Sequence, residues 1–327
     1  MQSLNTAATI PSSLTSESAA TLQRLASHLD SVMIGQQVAV KKIVAALATQ
    51  SHVLLEDFPG TGKTTLAKGL AKSIEGVIFN RVQFTPDLLP SDVLGVTVFN
   101  PKTHEFNFHR GPVFANLLLA DEINRASPRT QSALLEAMAE SQATIEGTRH
   151  KLPDPFFVIA TQNPVEFRGT YPLPEAQMDR FALQTNLGYV SIEDEMRILD
   201  SNHAGNPTDE LEPCISLVDL RRINHDVIDK VRVAESLKRY VVTIVAETRR
   251  QPEVQLAASP RASIALVRLA SAFALLDDRD YLIPEDIQDL AGDVIAHRLV
   301  LDPGASFSGI TARGVVDRIL KSVPVPQ

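Results

Sequence analysis

Residues 52–74 constrain this chain more than any other stretch. The run His52-Val53-Leu54-Leu55-Glu56 is short and apolar, Asp57-Phe58-Pro59-Gly60-Thr61-Gly62 is a loop, and Lys63-Thr64-Thr65 opens a segment with helical spacing. A short apolar run that feeds a Pro/Gly loop reads as a buried strand of a parallel sheet. Gly60 and Gly62 let backbone N–H groups turn toward an anion with no Cβ in the way, and the start of the next helix adds its positive dipole end. In that context Lys63 is expected to reach the β- and γ-phosphates of ATP or ADP and Thr64 to ligate Mg²⁺, with Pro59, Thr61 and Thr65 completing the cradle. The common pattern begins with glycine, whereas Asp57 stands there in this chain. Pro59 and Gly60 keep the loop tight all the same.

The same grammar continues downstream. Residues 77–84, 116–120, 156–161 and 181–187 are further apolar runs, with helical stretches at 64–74 and 128–141 between them. Strands alternating with helices imply an α/β fold, a parallel sheet with helices on both faces. Ahead of it, helices are expected over about 17–32, with Leu22, Leu25, Leu29 and Val32 on one face, and over 38–48. From Ser191 the pattern is wholly helical, beginning with a Ser191/Asp194 capping box that opens a helix over 192–202. Residues 204–213 read as a joint, followed by helices near 217–231, 234–250, 259–276 and 284–297. The expected organisation is a flexible tail over 1–15, an α/β nucleotide-binding domain over 16–190 and a helical domain over 191–327.

Two further strand ends carry chemistry. Leu117-Leu118-Leu119-Ala120 runs into Asp121 and Glu122, about sixty residues beyond the phosphate loop, the spacing and context of a magnesium-holding carboxylate followed by a general base. Asp121 is assigned to the metal and Glu122 to the attacking water. The run 156–161 ends in Gln162-Asn163-Pro164, and Asn163 is the candidate to orient that water, against the plainer reading of an Asn that turns the chain before proline.

Composition narrows the class. With 44% hydrophobic and 21% charged residues the chain reads as globular. No apolar run is long enough for a membrane span, and the N-terminus lacks the basic start and apolar stretch of a secretory signal. The single cysteine, Cys214, supports neither an internal disulfide nor a thiolate cluster, so a reducing, cytoplasmic setting is expected. A net charge of −8, the absence of Trp and 5% aromatics count against a general nucleic-acid binder.

The stretch from Arg110-Gly111-Pro112-Val113-Phe114 through Asp121-Glu122-Ile123-Asn124-Arg125 to Met138 resembles the signature of the MoxR family of AAA+ ATPases. The segments 160–164, 169–181 and 259–266 agree, so the resemblance covers roughly residues 30–325, nearly the whole chain. It implies a five-stranded parallel sheet followed by a helical lid, and assembly as a ring, usually a hexamer, with ATP at subunit interfaces. It also implies that Arg180, in Asp179-Arg180-Phe181, is an arginine finger reaching the neighbour's γ-phosphate. Arg261 falls at the second-sensor position, with Ser259 as N-cap and Pro260 in the first turn, and Gly35 and Gln36 border the adenine. The plainer readings are a surface pair of Arg180 with Asp179 or Glu175, and either an interface or a solvated-helix role for Arg125 and Arg129.

Two hairpins are expected, one over 93–110 around residues 100–103 and one over 143–152 bending at Gly147-Thr148. Family geometry sends both toward the ring pore, where Arg149-His150-Lys151 suits a client or a polyanion as well as it suits a solvated turn. The leading reading is a chaperone-like ATPase acting on a protein client, with a von Willebrand factor A domain partner implied by the resemblance. The alternatives are a nucleic-acid or chelatase-type motor subunit, for which strong salt-dependent DNA binding would speak, and a nucleotide-gated scaffold.

Overall fold

The computed structural model describes residues 13–165, 169–205 and 207–326. Residues 1–12 of the expected tail lie outside the described residues, while 13–15 stand in the helix Ser13–Asp30. That helix buries Leu22, Leu25 and Leu29 on the foreseen stripe, and the helix Gln37–Ala48 buries Val40, Ile43, Val44 and Leu47.

Five strands form one parallel sheet in the order Leu183–Thr185, Val53–Glu56, Phe157–Gln162, Leu117–Asp121, Phe79–Gln83. Val53 pairs with Leu183 on one side and with Ile159 on the other, and Leu117 lies between Phe157 and Phe79. All carboxyl ends therefore share one edge. Side chains alternate across the sheet as the strand period requires. Leu55, Leu119 and Ile159 face a core shared with Leu29, Val44, Leu266, Ile287 and Val316, so the N-terminal and C-terminal helices cover that side together. Leu54, Leu118 and Val158 face the other side, against Leu134 and Leu135 of the helix Pro128–Glu140. Burial on both faces is why these strands read as continuous apolar runs.

Among its described residues the C-terminal region is helical apart from short strand pairings, which correct the wholly helical expectation. Ile215–Ser216 pairs in parallel with Ile74–Glu75, and Val254–Leu256 pairs antiparallel with Val300–Leu301. Strands of two or three residues leave no readable periodicity. An unforeseen helix, Ala312–Ser322, buries Val315, Val316 and Ile319. Both hairpins form, Gly95–Asn100 with Glu105–Arg110 and Gln142–Ile145 with Thr148–Lys151. The second bends at Glu146-Gly147, one residue before the expected place, because both central residues of a tight hairpin turn take positive φ, here 49° and 80°. Among the described residues no helix is long and apolar enough to cross a membrane.

Candidate nucleotide site

The loop after Glu56 turns where Gly60 (φ 86°) and Gly62 (φ 96°) adopt left-handed backbone, and Gly62 caps the helix Lys63–Lys72. Only glycine takes those angles at little cost. Around the position of a Cβ on Gly60 nothing lies within 4 Å, so the loop offers backbone amides and room for an anion. The first N–H groups of the helix lack intrahelical acceptors and point back at the same place. Lys63 Nζ lies 2.8 Å from the Asp57 carbonyl and 3.0 Å from that of Phe58, at the rim of the loop, and Thr61 Oγ1 donates to the Phe58 carbonyl at 3.1 Å.

Asp57, the departure from the common pattern, is a brace. It is buried; its Oδ1 accepts from Phe58 N at 2.9 Å, and its Oδ2 accepts from Leu187 N at 2.7 Å and Gly188 N at 3.1 Å. A glycine there could make none of these bonds. The carboxylate ties the phosphate loop to residues 187–190, which leave the sheet's edge strand. The same segment meets the Gly35-Gln36 turn. Gln36 Nε2 donates to the Gly188 carbonyl at 3.3 Å, and a Cβ on Gly35 (φ 76°) would stand 2.8 Å from Asp194 Oδ2 and 3.1 Å from Val190. Tyr189 stacks on Phe58 with ring centroids 5.7 Å apart. Gly35 and Gln36 also line, with Lys42, Leu187, Asp293 and Arg313, a cavity of about 640 Å³. Sequence reasoning missed the 187–190 wall because nothing in Leu187-Gly188-Tyr189-Val190 marks it as a partner of a loop so distant in the chain.

At the same sheet edge Asp121 is buried, with Oδ1 accepting from Thr161 Oγ1 at 2.7 Å and Oδ2 paired to Arg81 at 2.7 Å. Glu122 sits at φ 55°, a costly backbone for a side-chain-bearing residue and a frequent mark of functional sites. Its N–H donates to Thr161 Oγ1 at 2.9 Å, and its Oε2 accepts from Gln83 at 2.7 Å and Arg125 at 2.8 Å. Thr161 thus donates to one acid and accepts from the backbone of the other. The sequence reading named neither Thr161 nor Arg81 nor Gln83; their one signal is polarity within the sheet strands. Arg125, open between interface and solvent, is an intrachain partner of Glu122.

Asn163 follows the central strand, so the register places it between the phosphate loop and the acid pair. It is buried, and its Oδ1 accepts from Val165 N at 3.2 Å, as a chain-turning Asn does. Its amide nitrogen is the group with capacity to donate to a water. The oxygen donors of Thr64, Asp121 and Glu122 suit a hard cation such as Mg²⁺, and the loop amides with Lys63 suit a polyphosphate. The residues present fit a magnesium nucleotide.

The two remaining candidates stand at the opposite end of the sheet. Leu183 pairs with Val53, and Ala182 N donates to the His52 carbonyl at 3.0 Å, which puts residues 179–182 at the amino ends of the strands. From His52 to Asp57 the extended strand spans about 16 Å. Arg180 donates to the Leu135 carbonyl. Asp179, the plainer partner for Arg180, binds C-terminal residues instead: Oδ1 accepts from Arg298 Nε at 2.8 Å, and Oδ2 accepts from Ser259 Oγ at 3.0 Å and lies 3.8 Å from Arg261. Ser259 accepts from Arg261 N at 3.1 Å, as the capping expectation required. Arg180 and Arg261 share a hollow of about 380 Å³ with His52, Arg268 and Arg298. One end of the sheet therefore gathers Gly35, Gln36, the phosphate loop, the acid pair and Asn163; the other gathers both arginines.

A parallel sheet with a phosphate loop, an acid pair at its carboxyl edge and a helical C-terminal region defines an AAA-type nucleotide-binding protein. A family model described as "ATPase family associated with various cellular activities (AAA)" matches residues 52–183, and one described as "AAA lid domain" matches residues 246–319. The chain is 51% identical over 305 residues to the uncharacterized protein YeaC of Bacillus subtilis, covering 93% of this chain and 95% of that one. To Chaperone MoxR1 of Mycobacterium tuberculosis it is 40% identical over 316 residues, 94% of this chain and 83% of that one. A crystal structure from Cytophaga hutchinsonii, described provisionally as an ATPase, superposes with a TM-score of 0.88 at 38% identity, covering 96% of this chain and 98% of that one. The chain belongs to the MoxR family of AAA+ ATPases.

Proposed function

We propose that this chain hydrolyses ATP at the interfaces of a homo-oligomeric ring and uses the cycle to remodel a protein client in the cytoplasm. One observation carries the reading: Arg180 and Arg261 lie at the sheet end opposite the phosphate loop, so within one chain neither meets the nucleotide. A second copy presenting its arginine face to the phosphate-loop edge completes the site, and hexameric closure follows the family.

Each residue has a place in this scheme. The loop amides of residues 60–62, in the turn that Pro59 tightens, together with Lys63 and Thr65 cradle the phosphates, while Gly35 and Gln36 border the adenine. Thr64 and Asp121 hold Mg²⁺, which when bound draws charge from the β- and γ-phosphate oxygens. Glu122 takes the proton of the attacking water, which the Asn163 amide orients. Arg180, and Arg261 beside it, enter from the neighbour and stabilise charge on the transferred group. The functional units are a nucleotide domain over 16–190 and a lid over 191–327, whose relative motion moves the hairpins. The first hairpin exposes Phe99 and Phe106 near its tip, their rings 5.2 Å apart, as an apolar grip on a client. In the second, Arg149 and Lys151 are exposed, whereas His150 stacks on Phe108 of the first at 4.2 Å and joins the two. A client carrying a von Willebrand factor A domain is the partner we favour.

Glu122→Gln tests the scheme. It should bind ATP as wild type does, assemble in ATP and lose at least about a hundredfold in turnover, and it should retain a client that wild type releases. Lys63→Ala should bind no ATP. Wild-type turnover in Glu122→Gln, or unaltered ATP binding in Lys63→Ala, contradicts the assignment.

A further inference from the structure

The segment that carries Arg180 is gripped by the lid. Arg298 ends the 3-10 turn after the helix Pro284–Ile295, and its side chain is only 3% exposed. Nε donates to Asp179 Oδ1 at 2.8 Å, Nη2 to the Phe181 carbonyl at 2.7 Å and Nη1 to the Ala182 carbonyl at 3.3 Å, while Nη1 also bonds the Val294 carbonyl of its own helix. The neighbouring His297 places Nε2 3.1 Å from the same Phe181 carbonyl. Asp179 adds a second lid contact through Ser259, the cap of the helix Pro260–Leu276 that carries Arg261 in its first turn. A planar guanidinium that spends its donors on the Asp179 carboxylate and on the Phe181 and Ala182 carbonyls holds both flanks of Arg180 as a rigid fork does, where a lysine would supply one mobile point. Desolvation of a buried arginine is costly, and plain packing at this position calls for an apolar side chain instead.

We infer that Arg298 is a positioning residue: it locks residues 179–182 to the lid, so that Arg180 and Arg261 are presented to the neighbouring subunit as one unit. The inference rests on the reading of Arg180 as a finger supplied in trans. It assigns Arg298 no contact with nucleotide, so its loss affects the neighbour's site and leaves its own subunit's site intact.

The test uses the full chain with Arg298→Lys, which keeps the charge and loses the fork, and the double variant Asp179→Asn/Arg298→Gln, which removes both charges together and guards against misfolding from a lone half-buried carboxylate. Folding is checked by circular dichroism and thermal melting. At saturating ATP both variants should show kcat at least about tenfold below wild type, with Kd for a fluorescent ATP analogue within twofold. Mixing in subunits carrying Glu122→Gln, which cannot hydrolyse but present a held Arg180, should restore turnover at the variants' intact sites. A merely structural defect would not be rescued by a catalytically dead neighbour. Folded variants with kcat within twofold of wild type, or a loss that the mixture leaves unrescued, overturn the inference. Arg180→Ala is mixed in the same way: if it too is unrescued, the trans reading fails and takes this inference with it, whereas rescue of Arg180→Ala alone refutes Arg298 only.

Discussion

Replacing Asp57 by glycine would restore the common form of the phosphate loop, yet the structure makes it a damaging change. The carboxylate accepts from Leu187 N and Gly188 N, the bonds that hold residues 187–190 against the loop. Hydrogen bonds to a charged acceptor contribute about 1.5–3 kcal/mol each, so losing the pair costs at least about 3 kcal/mol of local stability. At about 1.4 kcal/mol per decade, opening of this segment becomes roughly a hundredfold more frequent. Hydrogen exchange followed by mass spectrometry on peptides spanning residues 184–190 reads that opening directly. Asp57→Gly should exchange there about a hundredfold faster, Asp57→Asn by a smaller factor because one acceptor oxygen remains, and peptides from the helix Pro128–Glu140 should be unchanged. The Kd for ATP should rise in step, since Gln36 leans on the same segment through the Gly188 carbonyl. Exchange within threefold of wild type at 184–190 would refute the view of Asp57 as the brace.

Thr161→Val removes the hydroxyl that donates to Asp121 and accepts from Glu122 N–H. Turnover should fall about tenfold with a raised Mg²⁺ requirement, Thr161→Ser should recover most of it, and an unchanged Mg²⁺ titration would contradict the role. Stability should also depend on acid. Burial holds His52 at about 4 against the hydrogen bond to the Met138 carbonyl, and burial together with the Arg298 charge holds His297 at about 3, both below 6.5. Above pH 6.5 these rings are neutral in both states; as pH falls from 6.5 toward 4 the unfolded chain gains protons the folded chain refuses, so stability is lost at up to about 1.4 kcal/mol per histidine per pH unit. Urea midpoints at pH 7.5 and 5.5 should differ less in His52→Gln than in wild type, and equal differences would argue against it.

The sheet was legible because strands buried on both faces read as uninterrupted apolar runs: Val53-Leu54-Leu55, Leu117-Leu118-Leu119 and Phe157-Val158-Ile159 announce themselves. The phosphate loop and acid pair were legible because their chemistry sits at the ends of those runs. What stayed hidden depends on contacts between distant residues. Asp57 looks like a lapse in a motif until Leu187 and Gly188 are seen beside it, and Thr161 looks like one more β-branched strand residue. Arg298 reads as a charge near a helix end, yet its guanidinium is buried against residues more than a hundred positions earlier in the chain. The Glu146-Gly147 bend was misplaced by one residue because Glu tolerates left-handed backbone only when the turn demands it.

The central claim is that each ATP site is completed by Arg180 of a neighbour. The measurement that tests it is Mg²⁺-dependent ATP turnover against protein concentration, for wild type alone and with Arg180→Ala subunits mixed in rising proportion. Specific activity should climb with concentration, and the mixture's activity should fall faster than the wild-type fraction because each variant subunit silences a neighbour's site. Turnover per chain that is independent of concentration, with Arg180→Ala subunits acting as inert diluent, would contradict it and leave a monomeric nucleotide switch in its place.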